Sequence, residues 1–143
     1  MLIGLTGRNA AGKGVVAKHL KEKSFSYHSL SDIIREEIQS RQEELTRENL
    51  IRTGNELRGR FGASILAQRI LVKARDNEHC VIDSIRNPAE VEALRSGGHF
   101  RLLNVEAKLE LRFERIQQRD REGDPQTYDN FLALERLEAE GDV

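Results

Sequence analysis

The most informative stretch of the chain is GLTGRNAAGKGVVAKHL, residues 4–20. Gly7, Gly12 and Lys13 give it the G-x-x-x-x-G-K spacing of a phosphate-binding loop. Glycines let backbone N–H groups turn inward around an anion, a following helix adds its positive end, and the lysine carries a mobile charge to the outer phosphates. The alternative is a tight turn without a ligand. Phosphate binding requires a strand before the loop and a helix after it.

Strand and helix patterns alternate along the chain. Short apolar runs predict strands, and helical spacing of apolar residues predicts helices. This alternation implies a mostly parallel sheet covered on both faces, which binds ligands at the carboxyl ends of its strands. The predicted strands are residues 2–5, 25–29, 80–83 and 100–105, and the predicted helices are residues 10–23, 32–39 with Ser31 as N-cap, 46–58 with Thr46 as N-cap, 64–75, 88–95, 109–121 and 127–140.

Length and composition restrict the class of protein. The 143 residues suit one domain with a sizeable core, and a net charge of -1 gives no general attraction to nucleic acid or membrane. No apolar stretch approaches the ~18 residues of a membrane span, and a core strand from Leu2 leaves no room for a signal peptide. We therefore expect a cytoplasmic protein. The single cysteine, Cys80, excludes a disulfide framework and lies in a predicted core strand.

The residue after the loop lysine bears on metal binding. A Ser or Thr there would ordinarily ligate Mg²⁺, but this chain has Gly14. The ion would then be held by phosphate oxygens and waters, with an acid orienting those waters. Asp83, at the end of a predicted strand, is the candidate acid, and a helix-capping or salt-bridged aspartate is the alternative.

Arginine is unusually frequent, with 17 Arg against 6 Lys. Guanidinium groups bind phosphate through paired hydrogen bonds, and phosphoryl transfer depends mainly on positioning and charge neutralisation. For any single arginine, a solvated surface salt bridge is the alternative. Five arginines are candidates for a phosphate site because they follow predicted strands or lie in predicted helices: Arg35, Arg58, Arg86, Arg115 and Arg119.

These motifs resemble those of adenylate kinases and related nucleoside monophosphate kinases. Residues 7–14 look like their loop, in which Gly commonly follows the lysine, although Val15 stands where the family has Thr. Residues 32–35 are similar to the motif whose Arg binds the acceptor phosphate. Residues 83–86 resemble Asp-Gly-Phe-Pro-Arg, one residue shorter, and residues 115–119 resemble the Arg-x-x-x-Arg that opens the lid.

The resemblance implies ATP and Mg²⁺ as cofactors and transfer of a phosphoryl group to a small nucleotide, with a deoxynucleoside monophosphate as the favoured acceptor. In that interpretation the donor site comprises Gly7, Arg8, Asn9, Ala10, Ala11, Gly12, Lys13, Gly14, Val15 and Arg115. The acceptor site comprises Asp32, Arg35, Arg58 and Arg86. The catalytic residues are Lys13, Arg86, Arg119 and Asp83, the last acting on the metal through water.

The implied fold is a single three-layer α/β/α P-loop domain over residues 1–143, with strand order 2-3-1-4. Acceptor-binding helices would lie within residues 31–75, and a short helical lid would span residues 115–136. A narrower likeness joins the chain to deoxynucleoside monophosphate kinase-like domains of phage and bacteria, some fused to deoxycytidylate deaminase-like proteins. It is carried by residues 46–50, 54–58, 61–62 and 81–88. Family members usually continue through one more strand and helix, so the chain can be part of a longer protein with a fused C-terminal domain.

Two other functions stay open. The missing hydroxyl and the short lid favour a module that senses a nucleotide without turnover. Dephospho-coenzyme A kinases share the opening strand and loop, but they normally carry Ser-Thr after the lysine. Asn55 or Glu90 could contact the acceptor base. Tyr27 and Phe25 could flank that base, but core packing is the expected role of both rings. The sequence specifies neither base, sugar nor oligomeric state.

Overall fold

A computed structural model describes residues 1–121 and 123–141 of the chain. In this part of the chain strands and helices alternate as predicted. The strands are β1 (Leu2–Thr6), β2 (Ser26–Ser29), β3 (Cys80–Ile85) and β4 (Phe100–Asn104). The helices are α1 (Lys13–Glu22), α2 (Leu30–Ser40), α3 (Arg47–Phe61), α4 (Ile65–Ala74), α5 (Pro88–Ser96), α6 (Leu109–Arg119) and α7 (Tyr128–Gly141).

Within residues 1–121 and 123–141, the strands form one parallel sheet in the order β2-β3-β1-β4. The predicted order 2-3-1-4 is therefore confirmed. Leu2 lies opposite both Cys80 and Phe100, which sets the register of the central strand. Because all the strands run in the same direction, the loop after β1 and Asp83 near the end of β3 meet at one edge of the sheet.

The two faces of the sheet are covered by different helices. Leu2 and Ile82 face a large core formed with α2, α4 and α5, and Cys80 is fully buried there as predicted. Ile3 and Val81, which are the chain neighbours of Leu2 and Ile82, face a smaller cluster formed with α1. This alternation follows from the two-residue period of a strand, and it gives the predicted three-layer arrangement.

Several predicted boundaries change for local reasons. The helix predicted from residue 10 begins at Lys13, because the preceding loop needs the left-handed backbone of Gly7 and Gly12. Ser31 is not the N-cap of α2. Ser29 ends β2 and caps the helix directly, and its Oγ accepts from the backbone N–H of Ser31 at 3.3 Å. The predicted N-cap Thr46 is confirmed, since its Oγ1 accepts from the backbone of α3.

The last two helices pack on each other, and the second of them also contacts α3. Phe113 of α6 lies 5.2 Å from Tyr128 and 5.3 Å from Phe131 of α7, measured between ring centroids. Helix α6 ends at Arg119, two residues earlier than predicted, because Asp120 takes a left-handed backbone with φ 43°. Helix α7 packs against α3. Among the described residues, no helix has both the length and the apolarity to cross a bilayer.

Candidate active site

The loop between β1 and α1 encloses its own lysine. Lys13 Nζ donates to the carbonyl oxygens of Gly7 at 2.6 Å and Arg8 at 3.1 Å. A Cβ on Gly7 would lie 2.1 Å from the carbonyl oxygen of Val105, and Gly7 has φ 138°, so only glycine fits there. Strand β1 precedes this loop and helix α1 follows it, which is the arrangement that phosphate binding requires.

A cavity of about 510 Å³ opens beside this loop at the carboxyl ends of β1 and β3. Among the described residues that line it, nine are Lys or Arg and three are Asp or Glu, although the whole chain has a net charge of -1. Such a concentration of one sign in a cleft attracts a ligand of the opposite sign. The charged lining residues are Lys13, Lys18, Lys21, Arg35, Arg47, Arg58, Arg86, Arg119, Arg121, Asp32, Asp83 and Glu138.

Most of the predicted site residues line this cavity. They come from distant parts of the sequence and are Asn9, Ala10, Lys13, Gly14, Asp32, Arg35, Arg58, Asp83, Arg86 and Arg119. Gly7, Arg8 and Ala11 line a second space, of about 390 Å³, on the other side of the loop. Val15 is 76% exposed and lies outside the described lining of both spaces.

The charge of Lys13 is destabilised in the ligand-free cavity. The pKa of Lys13 is lowered from 10.5 to about 8, mainly by burial and then by the nearby positive charge of Arg86, while Asp83 acts in the opposite sense. A bound polyanion would remove this penalty. The electrostatics of the loop lysine therefore favour a negatively charged ligand.

Asp83 projects into the cavity and is only 7% exposed. Its Oδ2 accepts from the hydroxyl of Tyr27 at 2.8 Å, and its Oδ1 accepts from the backbone N–H of Ser84 at 2.6 Å. Tyr27 is therefore a partly exposed cavity residue, and the prediction that it packs in the core is wrong. Burial and the charge of Asp83 raise the pKa of Tyr27, so its hydroxyl stays a donor. Asn87, not Asp83, caps the next helix.

The surroundings of Asp83 fit a magnesium ion held through water. A carboxylate has about four lone-pair directions, and the hydrogen bonds from Tyr27 and Ser84 use two of them. Gly14 lines the same cavity, and a Cβ there would meet no heavy atom of the described residues within 4 Å. Among the described residues, no cluster of three or more His, Cys, Asp or Glu side chains is grouped for metal binding.

Glu90 organises two of the candidate arginines from beneath. It is fully buried, and its Oε1 accepts from Arg58 Nε at 2.7 Å. Its Oε2 accepts from the backbone N–H of Arg86 at 2.7 Å and forms a capping box with Asn87. The suggestion that Glu90 contacts the acceptor base is therefore wrong, since it lies below the cavity. Asn55 does line the cavity, and its role stays a prediction.

Arg35 and Arg86 approach the cavity from two sides. Arg35 Nη1 donates to Asp32 Oδ1 at 2.9 Å and to Ser31 Oγ at 3.1 Å, so Asp32 orients this arginine. Arg86 Nη1 donates to the carbonyl oxygen of Gly7 at 3.2 Å, which ties it to the loop. Both guanidinium groups remain in the cavity lining.

Arg119 and Arg115 of α6 contact the loop. Arg119 forms a two-point pair with Asp124, at 2.8 and 2.7 Å, and also donates to Asn9 Oδ1 at 3.1 Å. Although burial opposes it, the pairing with Arg119 lowers the pKa of Asp124. Arg115 Nη1 donates to the carbonyl oxygens of Ala10 and Ala11. Both arginines therefore connect α6 to the loop.

Arg47 and Glu138 are among the cavity residues that the sequence did not predict. Arg47, the first residue of α3, forms an ion pair with Glu138 of α7, and both line the cavity. Burial, together with the charges of Arg86 and Arg119, lowers the pKa of Arg47 to about 10. One signal for Glu138 existed. Glu138 lies seven residues, or two helical turns, after the buried Phe131, and it is therefore on the same face of α7.

The fold and this site define a P-loop protein with a kinase-like fold. The family model of an AAA domain, AAA_18, matches residues 3–140. A UPF0200 protein of Thermococcus onnurineus is 33% identical over 138 residues, covering 92% of this chain and 75% of that protein. A UPF0200/UPF0201 protein of Archaeoglobus fulgidus is 35% identical over 143 residues. The match covers 96% of this chain but only 44% of the Archaeoglobus protein. The chain belongs to the UPF0200 family, within the group of AAA domains.

A solved structure supports the fold alone. TT1252 from Thermus thermophilus superposes with a TM-score of 0.60 at 22% sequence identity, over 98% of this chain and 82% of that one. The curated relatives carry family names without an activity. Nothing in them specifically supports the narrower likeness to deoxynucleoside monophosphate kinases or to deaminase fusions.

Proposed function

We propose that this chain is a kinase that transfers the γ-phosphoryl group of ATP to a small nucleotide, with a (deoxy)nucleoside monophosphate as acceptor. One observation carries the proposal. In the part of the chain that the structure describes, nine basic and three acidic residues line a single cavity that contains the loop lysine. The reaction brings the triphosphate of the donor against the monophosphate of the acceptor, and a cluster of this charge can neutralise both.

The donor end of the cavity is formed by the loop. Lys13 now donates to the carbonyl oxygens of Gly7 and Arg8, and phosphate oxygens would replace those acceptors. Loop N–H groups and the N-terminus of α1 would hold the same phosphates. Arg115 and Arg119 would lie against the donor from α6, since both already contact the loop.

The acceptor end is formed by α2, α3 and the segment after β3. Arg35, Arg58 and Arg86 would bind the acceptor phosphate, with Asp32 and Glu90 fixing two of them. Apolar side chains and one amide continue the cavity beyond these arginines and suit a nucleobase. They are Ile34, Leu50, Ile51 and Asn55.

The transfer itself needs little covalent help from the protein. An oxygen of the acceptor phosphate forms a bond to the γ phosphorus while the bond from that phosphorus to the β–γ bridging oxygen breaks. ADP leaves with the electron pair, and the acceptor becomes a diphosphate. A phosphate monoester has a second pKa of about 6, so the attacking oxygen is already ionised at neutral pH. Mg²⁺, when bound to the donor phosphates, would neutralise developing charge, and Asp83 would orient its waters.

The turn between α6 and α7 would act as a lid that excludes water from this reaction. A Cβ on Gly123 would lie 3.2 Å from the backbone nitrogen of Arg47, so the turn between α6 and α7 touches the start of α3. Closing a site in this way strengthens its electrostatic interactions and prevents hydrolysis of the donor.

A nucleotide-sensing role is the second candidate. It is favoured by Gly14 and the exposed Val15, because neither residue can offer a hydroxyl to a metal ion. A sensor would bind ATP in the same cavity but would not transfer a phosphoryl group. The two functions therefore share the binding site and differ in turnover.

A coupled assay of ADP formation tests the proposal. The acceptor panel contains ribo- and deoxynucleoside monophosphates together with dephospho-coenzyme A. We expect ADP with at least one nucleoside monophosphate, loss of that activity in Lys13→Ala, and no loss in Lys23→Ala at an exposed position. ATP binding without ADP formation would instead indicate a sensor. The kinase proposal fails if no acceptor yields ADP and Lys13→Ala binds ATP as tightly as the unaltered chain.

A further inference from the structure

Arg47 lies inside the cavity but was assigned no role by the sequence motifs. It is the first residue of α3, and its guanidinium group is largely buried in the cavity lining. Arg86 and Arg119 lie close enough to lower the pKa of Arg47 together with burial. A buried arginine among other cations is costly unless an anion compensates it. The position of Arg47 therefore suits a residue that binds a negatively charged ligand.

Glu138 supplies that anion in the ligand-free protein. Its side chain is 7% exposed, it forms an ion pair with Arg47, and its Oε1 lies 3.4 Å from Arg86 Nη2. A carboxylate between two guanidinium groups makes contacts of the kind that a phosphate makes. Glu138 also lines the cavity, so its charge would oppose a phosphate at the same place.

The lid offers a reason for the position of Arg47. After the turn at Gly123 the sequence contains one arginine, Arg136, and its side chain is exposed on α7. The lid turn instead contacts the backbone of Thr46 and Arg47. An arginine from α3 therefore reaches the cavity directly beneath the lid, between the donor-side Arg119 and the acceptor-side Arg86.

We propose that Arg47 binds the phosphoryl group as it passes from donor to acceptor. In the ligand-free protein the Glu138 carboxylate occupies the position of that phosphoryl group, and a substrate phosphate displaces the carboxylate. This inference rests on the proposed function, since it places Arg47 between donor and acceptor. Helix α7 must withdraw the Glu138 carboxylate when the phosphate arrives. Glu138 then competes with the ligand, whereas Arg47 binds it.

A purely structural ion pair predicts a different pattern of effects. If the pair only fastened α7 to α3, removing either partner would lower stability, and anion affinity would change by no more than the roughly twofold effect of a charge that does not contact the ligand. If the pair is a phosphate site, the two substitutions act on anion affinity in opposite directions. The signs of the two effects therefore separate the possibilities, whatever happens to stability.

The test is calorimetric titration with inorganic tripolyphosphate, which binds without turnover. We expect Glu138→Gln to bind tripolyphosphate about tenfold more tightly. Arg47→Met should bind it more weakly by about tenfold or more, which is the effect of losing one charged hydrogen-bonded contact. The matched controls are Asp129→Asn on α7 and Arg52→Met on α3, both at exposed positions, and they should stay within about twofold. In the transfer assay, Arg47→Met should lower kcat far more than it raises the KM for ATP.

The proposal is overturned if Glu138→Gln binds tripolyphosphate no more tightly than the unaltered chain. That variant decides the matter alone if Arg47→Met fails to fold. The result is also separate from the proposed function. A chain that forms no ADP but shows the two opposite shifts keeps the phosphate site and loses the kinase activity. A chain that forms ADP but shows neither shift in tripolyphosphate affinity keeps the kinase activity and loses the proposed phosphate site at Arg47.

Discussion

At the residue scale, the protonation of Lys13 is the most sensitive feature of the site. Its pKa is lowered from 10.5 to about 8, first by burial and then by Arg86. The charged form still predominates at neutral pH in the absence of ligand, but it is lost at a lower pH than in a solvent-exposed lysine. An anion contacting Nζ stabilises the charged form and raises the pKa again.

This shift predicts a pH dependence of polyphosphate binding. Below about pH 8 Lys13 is already protonated in the free protein, so it adds no pH dependence. Above that pH binding must take up a proton, and affinity should fall by up to about tenfold per pH unit until the raised pKa of the complex is reached. Calorimetry with ATP between about pH 7 and pH 9.5 would show this fall, because the donor phosphates are fully ionised over the upper part of this range. Lys13→Met should lack the slope, and an equal slope in both proteins would refute the assignment.

Two glycines of the loop should respond in opposite ways to alanine. A Cβ on Gly7 would lie 2.1 Å from the Val105 carbonyl oxygen at φ 138°, whereas Gly14 is helical and has open space around it. We expect Gly7→Ala to lower the free energy of unfolding by about 3 kcal/mol or more. Gly14→Ala should raise it by about 0.5 kcal/mol, because alanine restricts the unfolded chain. Urea unfolding measures both. Equal effects would mean that the loop has a different backbone in solution.

At the element scale, helix α5 fixes the segment that carries Arg86. Glu90 caps the helix with Asn87 and pairs with Arg58 of α3, so one buried carboxylate joins two elements. The Asn-x-x-Glu spacing of residues 87–90 is visible in the sequence as a capping box. The expectation that Glu90 contacts a base was wrong because this capping spacing already directs the Glu90 carboxylate to the backbone at the start of its own helix.

This junction predicts a large effect from a residue that touches no substrate. Glu90→Gln should lower the free energy of unfolding by about 3 kcal/mol, because it leaves Arg58 and backbone donors imperfectly paired in a buried place. Glu92→Gln on the same helix removes an exposed pair with Arg95 and should change it by about 0.5 kcal/mol or less. Thermal or chemical unfolding of the two variants gives the comparison. A cost for Glu90→Gln no larger than that for Glu92→Gln would contradict the described network.

At the scale of the whole molecule, the sequence predicts the scaffold better than the contents of the cavity. Residues 7–14 and the alternation of strands and helices determine a parallel sheet with the loop at its carboxyl edge. Arg35, Arg86 and Arg119 were expected to gather there because each belongs to a local motif, and they line one cavity.

The remaining cavity residues depend on packing between distant helices. Glu138 and Arg47 meet only because α7 packs against α3, and neither belongs to a local motif that announces the contact. Tyr27 was assigned to the core by its apolar ring, yet its hydroxyl donates to Asp83 at the cavity. Such pairings are set by the tertiary arrangement, which a pattern along one element does not contain.

The central claim is that donor and acceptor phosphates face each other across this one cavity. A compound in which two nucleosides are joined by five phosphates can reach both ends at once, and calorimetry can compare it with ATP. We predict that it binds at least about 100-fold more tightly than ATP, as expected when the second contact becomes intramolecular. Lys13→Ala and Arg35→Ala should each remove most of that gain. Binding no tighter than that of ATP would contradict the claim.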